Sequence, residues 1–388
     1  MTQEEYRTAA EDVIYLASCM VNESIPDTDR VAGMNLQRLY ETANRHSLEG
    51  LIGYALEATG IRDSAFIQAK ARAIRKDILY DMERAAVLAE LEKAGIWYMP
   101  LKGSVLKSLY PKIGMRQMGD NDILFDGSKA AEVKTIMEKL GFSFGYNSAH
   151  VHFFKPPALN FEMHRFLFAN IHNEDLAAYY KDVKERLILN DGSSYGYHFS
   201  TEDFYIFIIA HEYKHYSKGG TGLRSLLDTY VYLRSVPLNM AYVAAETEKM
   251  GIREFESANR SLALHLFGGE PLTEEEREML DYIILSGTYG IKANIIRREI
   301  KEKGRLGYVR SRMTLPLSVM KKLYPILVKA PMLYPFCWAH RLIHAFFFRH
   351  KAFMFQVRTV LKKENMQSEI KGSEKRKSEK RNKEKRGL

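Results

Sequence analysis

A chain of 388 residues, 46% hydrophobic and 27% charged, can bury at least one large core and has the length of about two or three domains. Its two cysteines, Cys19 and Cys337, lie far apart with no CxxC, and no run approaches the roughly 18 apolar residues that span a bilayer; a disulfide framework, a cysteine zinc cluster and an integral membrane protein are excluded, and a cytoplasmic setting fits. Of the net charge of +9, the stretch from Lys371 to Leu388 carries +6, nine Lys/Arg against three Glu, so the remainder is nearly balanced.

The chain opens on "MTQEEYRTAAEDVIYLASCMVNES", which is acidic near its start, lacks the basic-then-apolar order of a signal peptide and reads as the first helix of an N-terminal helical segment, residues 1–84. Residues 65–94 are rich in helix formers, with apolar positions recurring at three and four and Gly95 just past the end, which predicts a long amphipathic helix. "IWYMPLKG" and "NDILF" read as strands, "GSKAAEVKTIMEKLGF" as a helix ending at Gly141, and "HVHFFK" and "LNFEMHRF" as two strands joined at Pro156-Pro157. These form an α/β core over residues 85–200. A helical domain follows over 201–310 and C-terminal helices over 311–362, where "KKLYPILVKAPMLYPFCWAHRLIHAFFFRHKAF" reads as packed helices in preference to an interfacial membrane segment. Residues 363–388 read as a disordered, solvated basic tail, with weak attraction to anionic surfaces as the alternative. The predicted fold class is α+β, a small mixed β-sheet embedded in a mostly helical chain.

The chemistry concentrates in residues 101–125, "LKGSVLKSLYPKIGMRQMGDNDILF". Side chains alternate along a strand, so Asp120 and Asp122 project to one side and Asn121 and Ile123 to the other. Two carboxylates held so close repel unless a cation neutralises them, and hard oxygen ligands suit Mg²⁺ (or Mn²⁺). In "NFEMHR", Asn160, Glu162 and His164 likewise share a face, which makes Glu162 a third candidate carboxylate. Gly103 and Ser104 make a strand-to-helix turn whose backbone N–H groups favour phosphate. Each feature alone has a plainer reading: a surface DxD, an N-cap serine, a solvated strand glutamate. Their ordered co-occurrence favours a phosphate-and-metal site. "GSVLKS" is no P-loop, because Leu106 stands where a Walker A loop needs its second glycine.

Further on, His211-Glu212-Tyr213-Lys214-His215 satisfies HExxH, the ligand pair of a zinc metallopeptidase when it lies on a helix. The metzincin extension is missing and Glu246 is only a conceivable third ligand, so a role in the core or in supporting a neighbouring site is preferred for the two histidines. In "GLRSLLDTYVYL", Arg224 and Asp228 are four apart and predict a helical ion pair.

Taken in order, "LKGSVLKSLYP", "RQMGDNDILF", "NFEMHR", "HEYKH" and "GLRSLLD" resemble the nucleotidyltransferase superfamily, the polymerase β-like fold, and within it the uncharacterised bacterial family sometimes numbered five. The resemblance runs from about Ala86 to Arg341. It implies an NTP-dependent nucleotidyltransferase in which Asp120, Asp122 and Glu162 are catalytic and hold Mg²⁺ (or Mn²⁺). By the same resemblance Gly103 and Ser104 would cradle the β- and γ-phosphates, and Lys102 or Arg116 would neutralise the leaving pyrophosphate. The acceptor, a sugar, metabolite, protein or RNA, is left open. The fifteen residues between Ser104 and Asp120 exceed the common superfamily spacing. The competing expectation is a catalytically silent relative whose C-terminal helices and basic tail dock it onto a membrane or a partner.

Overall fold

The computed structural model describes residues 1–147, 150–156, 159–169, 174–287 and 317–348, with isolated positions between 304 and 315. The expected basic tail, 363–388, lies outside the described residues. Two compact units divide at Gly290.

In the first unit, the Thr2 hydroxyl and the Glu5 carboxylate form a reciprocal capping box that starts α1 (Gln3–Val21), whose buried stripe includes Tyr6, Val13, Leu16 and Met20. Helices α2 (Thr28–Ala32), α3 (Leu36–Arg45) and α4 (Glu49–Ala58) follow. The predicted long helix is α5 (Ser64–Lys93), started by Asp63, whose carboxylate accepts from the N–H groups of Ala65 and Phe66.

After β1 (Tyr98–Pro100) and the single turn α6 (Gly103–Leu106) come β2 (Asn121–Phe125) and α7 (Ala130–Lys139). Strands β3 (Ser143–Asn147), β4 (His150–Lys155) and β5 (Leu159–His164) complete a mixed sheet of order β1-β2-β5-β4-β3. Strand β3 was not among the predicted strands. β2 and β5 are parallel and the other pairs antiparallel. A short α8 (Glu174–Tyr179) and a two-stranded sheet, β6 (Ile188–Leu189) with β7 (Tyr197–His198), lead to α9 (Thr201–Tyr216).

The two faces of the large sheet have different neighbours. Ile123, Phe125, Phe153, Phe161 and Met163 share a core with Tyr80, Val87 and Leu91 of α5 and Val133 and Met137 of α7. On the other face, Met99 and Leu124 share a core with Ile206 and Ile209 of α9. With both faces covered, all five residues of β2 are buried, including Asp122, and a buried carboxylate persists only where partners compensate its lost hydration.

Helices α10 (Leu223–Ser235), α11 (Met240–Lys249), α12 (Arg253–Gly268) and α13 (Glu274–Ser286) continue the first unit. Leu226, Leu262 and Ile283 share a third core with Leu16 of α1, Leu51 of α4 and Phe66 of α5, so α5 contributes to two cores. Each such fully buried side chain is worth roughly 1.5–3 kcal/mol.

The second unit carries α14 (Leu317–Leu323), α15 (Ile326–Lys329) and α16 (Tyr334–Phe348). In this stretch Met320 and Leu327 are buried, whereas Leu323, Ile326, Val328, Met332 and Phe336 are exposed. Pro325 and Pro331 fall between these helices and separate them, whereas Pro335 sits in the first turn of α16, where the missing N–H costs no helical hydrogen bond. Among the described residues no helix is long and apolar enough to cross a membrane.

Candidate active site

Helix α5 fixes the acidic loop from below. The fully buried Tyr80 donates its hydroxyl to the Gly119 carbonyl at 3.0 Å and accepts the Asn160 N–H at 3.2 Å, tying the start of β2 to that of β5. Lys76 adds a second donor to the Gly119 carbonyl at 3.0 Å, and Asn121 donates to the Tyr80 carbonyl at 3.1 Å. Asn121 therefore faces α5, and its neighbours in sequence, Asp120 and Asp122, belong to the opposite side.

The parallel register pairs Asp122 with Glu162, and the antiparallel register pairs Glu162 with His152 of β4. Asp122 Oδ1 receives two donors, Lys102 Nζ at 2.7 Å and His164 Nε2 at 2.7 Å. Glu162 lies 3.8 Å from His164 Nε2 and 3.4 Å from His152 Nδ1. One donor atom each from Asp122, Glu162 and His164 lies within 4.8 Å of the others, a mixed carboxylate-imidazole set that fits a divalent cation. Asp120, one residue ahead of β2, is outside that grouping and lines the same cavity of about 400 Å³.

The turn before α6 is built around close approach. Lys102 adopts φ = 48°, a left-handed backbone that a non-glycine residue rarely holds. A Cβ on Gly103 would stand 2.1 Å from Arg116 Nη1, so glycine is required there to admit the guanidinium. Ser104 turns its hydroxyl onto the Leu101 carbonyl at 2.7 Å and is not among the cavity-lining residues, whereas Lys102, Gly103 and Arg116 are.

Arg116 is held in place by a buried, two-pronged pair with Asp228 of α10, at 3.0 and 2.9 Å, and Tyr110 donates to the same carboxylate at 2.7 Å. The helical pair expected between Arg224 and Asp228 is thereby corrected: Asp228 turns to Arg116, and Arg224 donates to the Gln117 carbonyl at 3.1 Å. A buried, planar guanidinium that satisfies both carboxylate oxygens outcompetes a half-buried neighbour four residues away on the same helix. His211, Lys214 and His215 of α9 and Arg224 of α10 line the remainder of the cavity, opposite the acids in chemical character.

Charge follows this geometry. Burial, together with the charge of Asp122, pushes Asp120 up to about 6, and burial with Asp122 and Asp120 pushes Glu162 up to about 7. Burial also works against ionised Asp122, but Lys102 and His164 together hold its carboxyl far below the usual range. Burial, then the Lys102 charge, lowers Lys214. Carboxylates and cationic side chains thus line one cavity, a combination whose chemistry suits a metal ion together with a polyanion.

The HExxH segment lies on α9 as predicted, and its two imidazoles meet, Nε2 to Nε2, at 3.2 Å. Its glutamate departs from the peptidase pattern. Glu212 is buried, taking Asn259 Nδ2 at 3.1 Å and Thr229 Oγ1 at 3.3 Å, and Glu246 is engaged by Tyr179 and Lys249. Among the described residues neither histidine belongs to a three-ligand grouping.

A family model described as an uncharacterised nucleotidyltransferase matches residues 32–268, more than half of the chain. The chain belongs to this nucleotidyltransferase family. No curated protein and no solved structure matches it significantly. The match runs from the end of α2 to the end of α12, so the sheet, α9 and α10 that surround the nucleotidyltransferase cavity all lie inside it. The α+β fold expected from the sequence is the one observed. His164, His152 and Lys214 were not singled out as site residues; the alternation of "NFEMHR", which puts Glu162 and His164 on one face, is the signal for the first of them.

Proposed function

We propose that this nucleotidyltransferase moves a nucleoside monophosphate from an NTP to a hydroxyl or similar nucleophile of an acceptor, releasing pyrophosphate, in the cavity between the sheet and α9. What carries the reading is the in-register pairing of Asp122 with Glu162, which brings two carboxylates from separate strands to one cavity that cationic side chains also line. Asp122, Glu162 and Asp120 would hold Mg²⁺ or Mn²⁺. When bound, the ion supplies Lewis-acid stabilisation of charge on the phosphoryl oxygens and lowers the pKa of an acceptor hydroxyl.

The chain's own groups supply the remainder. Lys102, poised on Asp122, exchanges that partner for a phosphate oxygen as substrate enters, and Lys214 and Arg224 offer further positive charge to the triphosphate. Arg116 contributes charge from within the wall, since Asp228 fixes it, and the Gly103 backbone beneath it stays open to the cavity. Glu162 receives the acceptor's proton. A silent relative would have no call for two carboxylates buried at this expense of hydration.

The test is incubation of the full chain with labelled NTPs, a divalent cation and candidate acceptors from the sugar, metabolite, protein and RNA classes, read by mass spectrometry for a nucleotidyl adduct. Turnover and metal-dependent NTP binding are expected for the native chain and lost in Asp122→Ala. Binding that persists unchanged in Asp120→Ala plus Asp122→Ala rejects the proposal.

A further inference from the structure

Three carboxylates would make an all-oxygen site, yet the donor atoms that come together here are those of Asp122, Glu162 and His164. Two donors each about 2.1 Å from one ion stand about 3 to 4.2 Å apart, according to whether they are adjacent or opposite. His164 Nε2 is 2.7 Å from Asp122 Oδ1 and 3.8 Å from Glu162 Oε2; when the imidazole carries its proton on Nδ1 instead, the hydrogen bond to Asp122 is given up, the Nε2 lone pair is free, and a shift of a few tenths of an ångström makes it a ligand beside both carboxylates. Strand alternation delivers it: His164 follows Glu162 by two on β5, and the register sets Leu124 and His150 beside it, leaving its imidazole on the face that bears Asp122. The ring is buried at 3% exposure, which holds its direction.

We infer that His164 is itself a ligand of the divalent ion, so that the site presents a mixed nitrogen-oxygen set and prefers Mn²⁺ to Mg²⁺. The inference rests on the reading of the cavity as a metal-and-NTP site. Mg²⁺ demands hard oxygen donors and near-ideal octahedral geometry, whereas the first-row transition ions accept imidazole, and Mn²⁺ among them also suits carboxylates. His152, 3.4 Å from Glu162 on the adjacent strand, and the His211–His215 pair are the other nearby imidazoles, and none joins the grouping.

The experiment loads the metal-stripped full chain with Mn²⁺ alone, so that no nucleotide nitrogen contributes, and records electron spin-echo modulation from directly bonded nitrogen. The native chain is expected to show that modulation, His152→Asn and His211→Asn to retain it, and His164→Asn to lose it while still binding Mn²⁺. Competition titration is expected to give at least about tenfold preference for Mn²⁺ over Mg²⁺ in the native chain and a smaller ratio in His164→Asn. Should His164→Asn fail to fold, modulation retained in each of His152→Asn, His211→Asn and His215→Asn still assigns it to His164, and its loss in any one of them overturns the inference. Bound Mn²⁺ without nitrogen modulation, or modulation that survives His164→Asn, overturns the inference and leaves the nucleotidyltransferase reading standing, with His164 a hydrogen-bond donor to Asp122. Absence of both Mn²⁺ binding and NTP turnover overturns the two together.

Discussion

The Lys102 ammonium sits 2.7 Å from the Asp122 carboxylate, and this pair joins a strained non-glycine backbone in the cavity wall to a buried acid. The strain of such a conformation, roughly 1–3 kcal/mol, is sustained by the Leu101 N–H, which donates to the Asp122 carbonyl at 2.9 Å, and by Gly103 beneath Arg116. Lys102 thus stands where a divalent cation has to compete.

Lys102→Met should separate the two roles of that lysine. Without its resident cation Asp122 attracts a divalent ion more strongly, so calorimetric titration with Mn²⁺ should show affinity raised by about tenfold, while NTP turnover falls by about a hundredfold or more. Unchanged metal affinity would show that Lys102 does not compete at Asp122.

Asp228→Ala should be among the most damaging changes outside the acidic wall. It leaves the Arg116 guanidinium, 8% exposed, with its two-pronged partner gone, a loss of about 3–5 kcal/mol measurable by urea unfolding. Replacing both, Arg116→Met with Asp228→Leu, should recover a large part of that stability without recovering activity.

Glu212 titrates in the sense opposite to a normal acid. Burial, opposed by the Asn259 and Thr229 hydrogen bonds, raises its pKa to about 8 from 4.5, so the folded protein holds this proton more tightly than the unfolded chain does. The stability from this group is fully present below 4.5 and is lost as pH rises towards 8, at about 1.4 kcal/mol per pH unit. Glu212→Gln should therefore have the higher melting temperature at pH 8 and show no advantage at pH 4.5, read by calorimetry across that range. A zinc peptidase would instead lose all activity in that variant; no peptide hydrolysis is expected from either protein.

His46 has the reverse dependence. It is fully buried; its Nε2 and the Tyr6 hydroxyl lie 2.9 Å apart, and its Nδ1 accepts the Leu223 N–H at 3.2 Å. Because Tyr6 donates to the Ile284 carbonyl, this network assigns the neutral Nε2–H tautomer. Burial, then the Arg45 charge, lowers its pKa to about 3 from 6.5, so stability is present above 6.5 and is lost as pH falls towards 3. His46→Gln should flatten that acid limb in thermal melts.

The elements with a clean period were legible in the sequence: α5 from its three-and-four spacing, and β2, β4 and β5 from alternation, which also put Asp120 with Asp122, and Glu162 with His164, on one side of their own strands, while the register that sets Asp122 beside Glu162 is seen only in the sheet. β3 escaped because "SFGYN" centres on Gly145 and pairs through an irregular register. Asp228 misled for a related reason. Its visible partner was four residues away and its real one is 112 away, a choice that burial makes and local spacing does not disclose. The exposed apolar residues of α14 to α16 were likewise invisible, since composition gives a helix its apolar residues but not its neighbours.

The pairing of β2 with β5 has a consequence for how the chain reaches its native state. If β5 slipped by one residue, Phe161 and Met163 would point into the charged cavity, and Glu162 and His164 would be driven among Tyr80, Phe142 and Met137. Misaligned forms are thus penalised twice, by wetted aromatics and by stranded ions, and the groups that make the centre reactive also proofread the assembly of its strands.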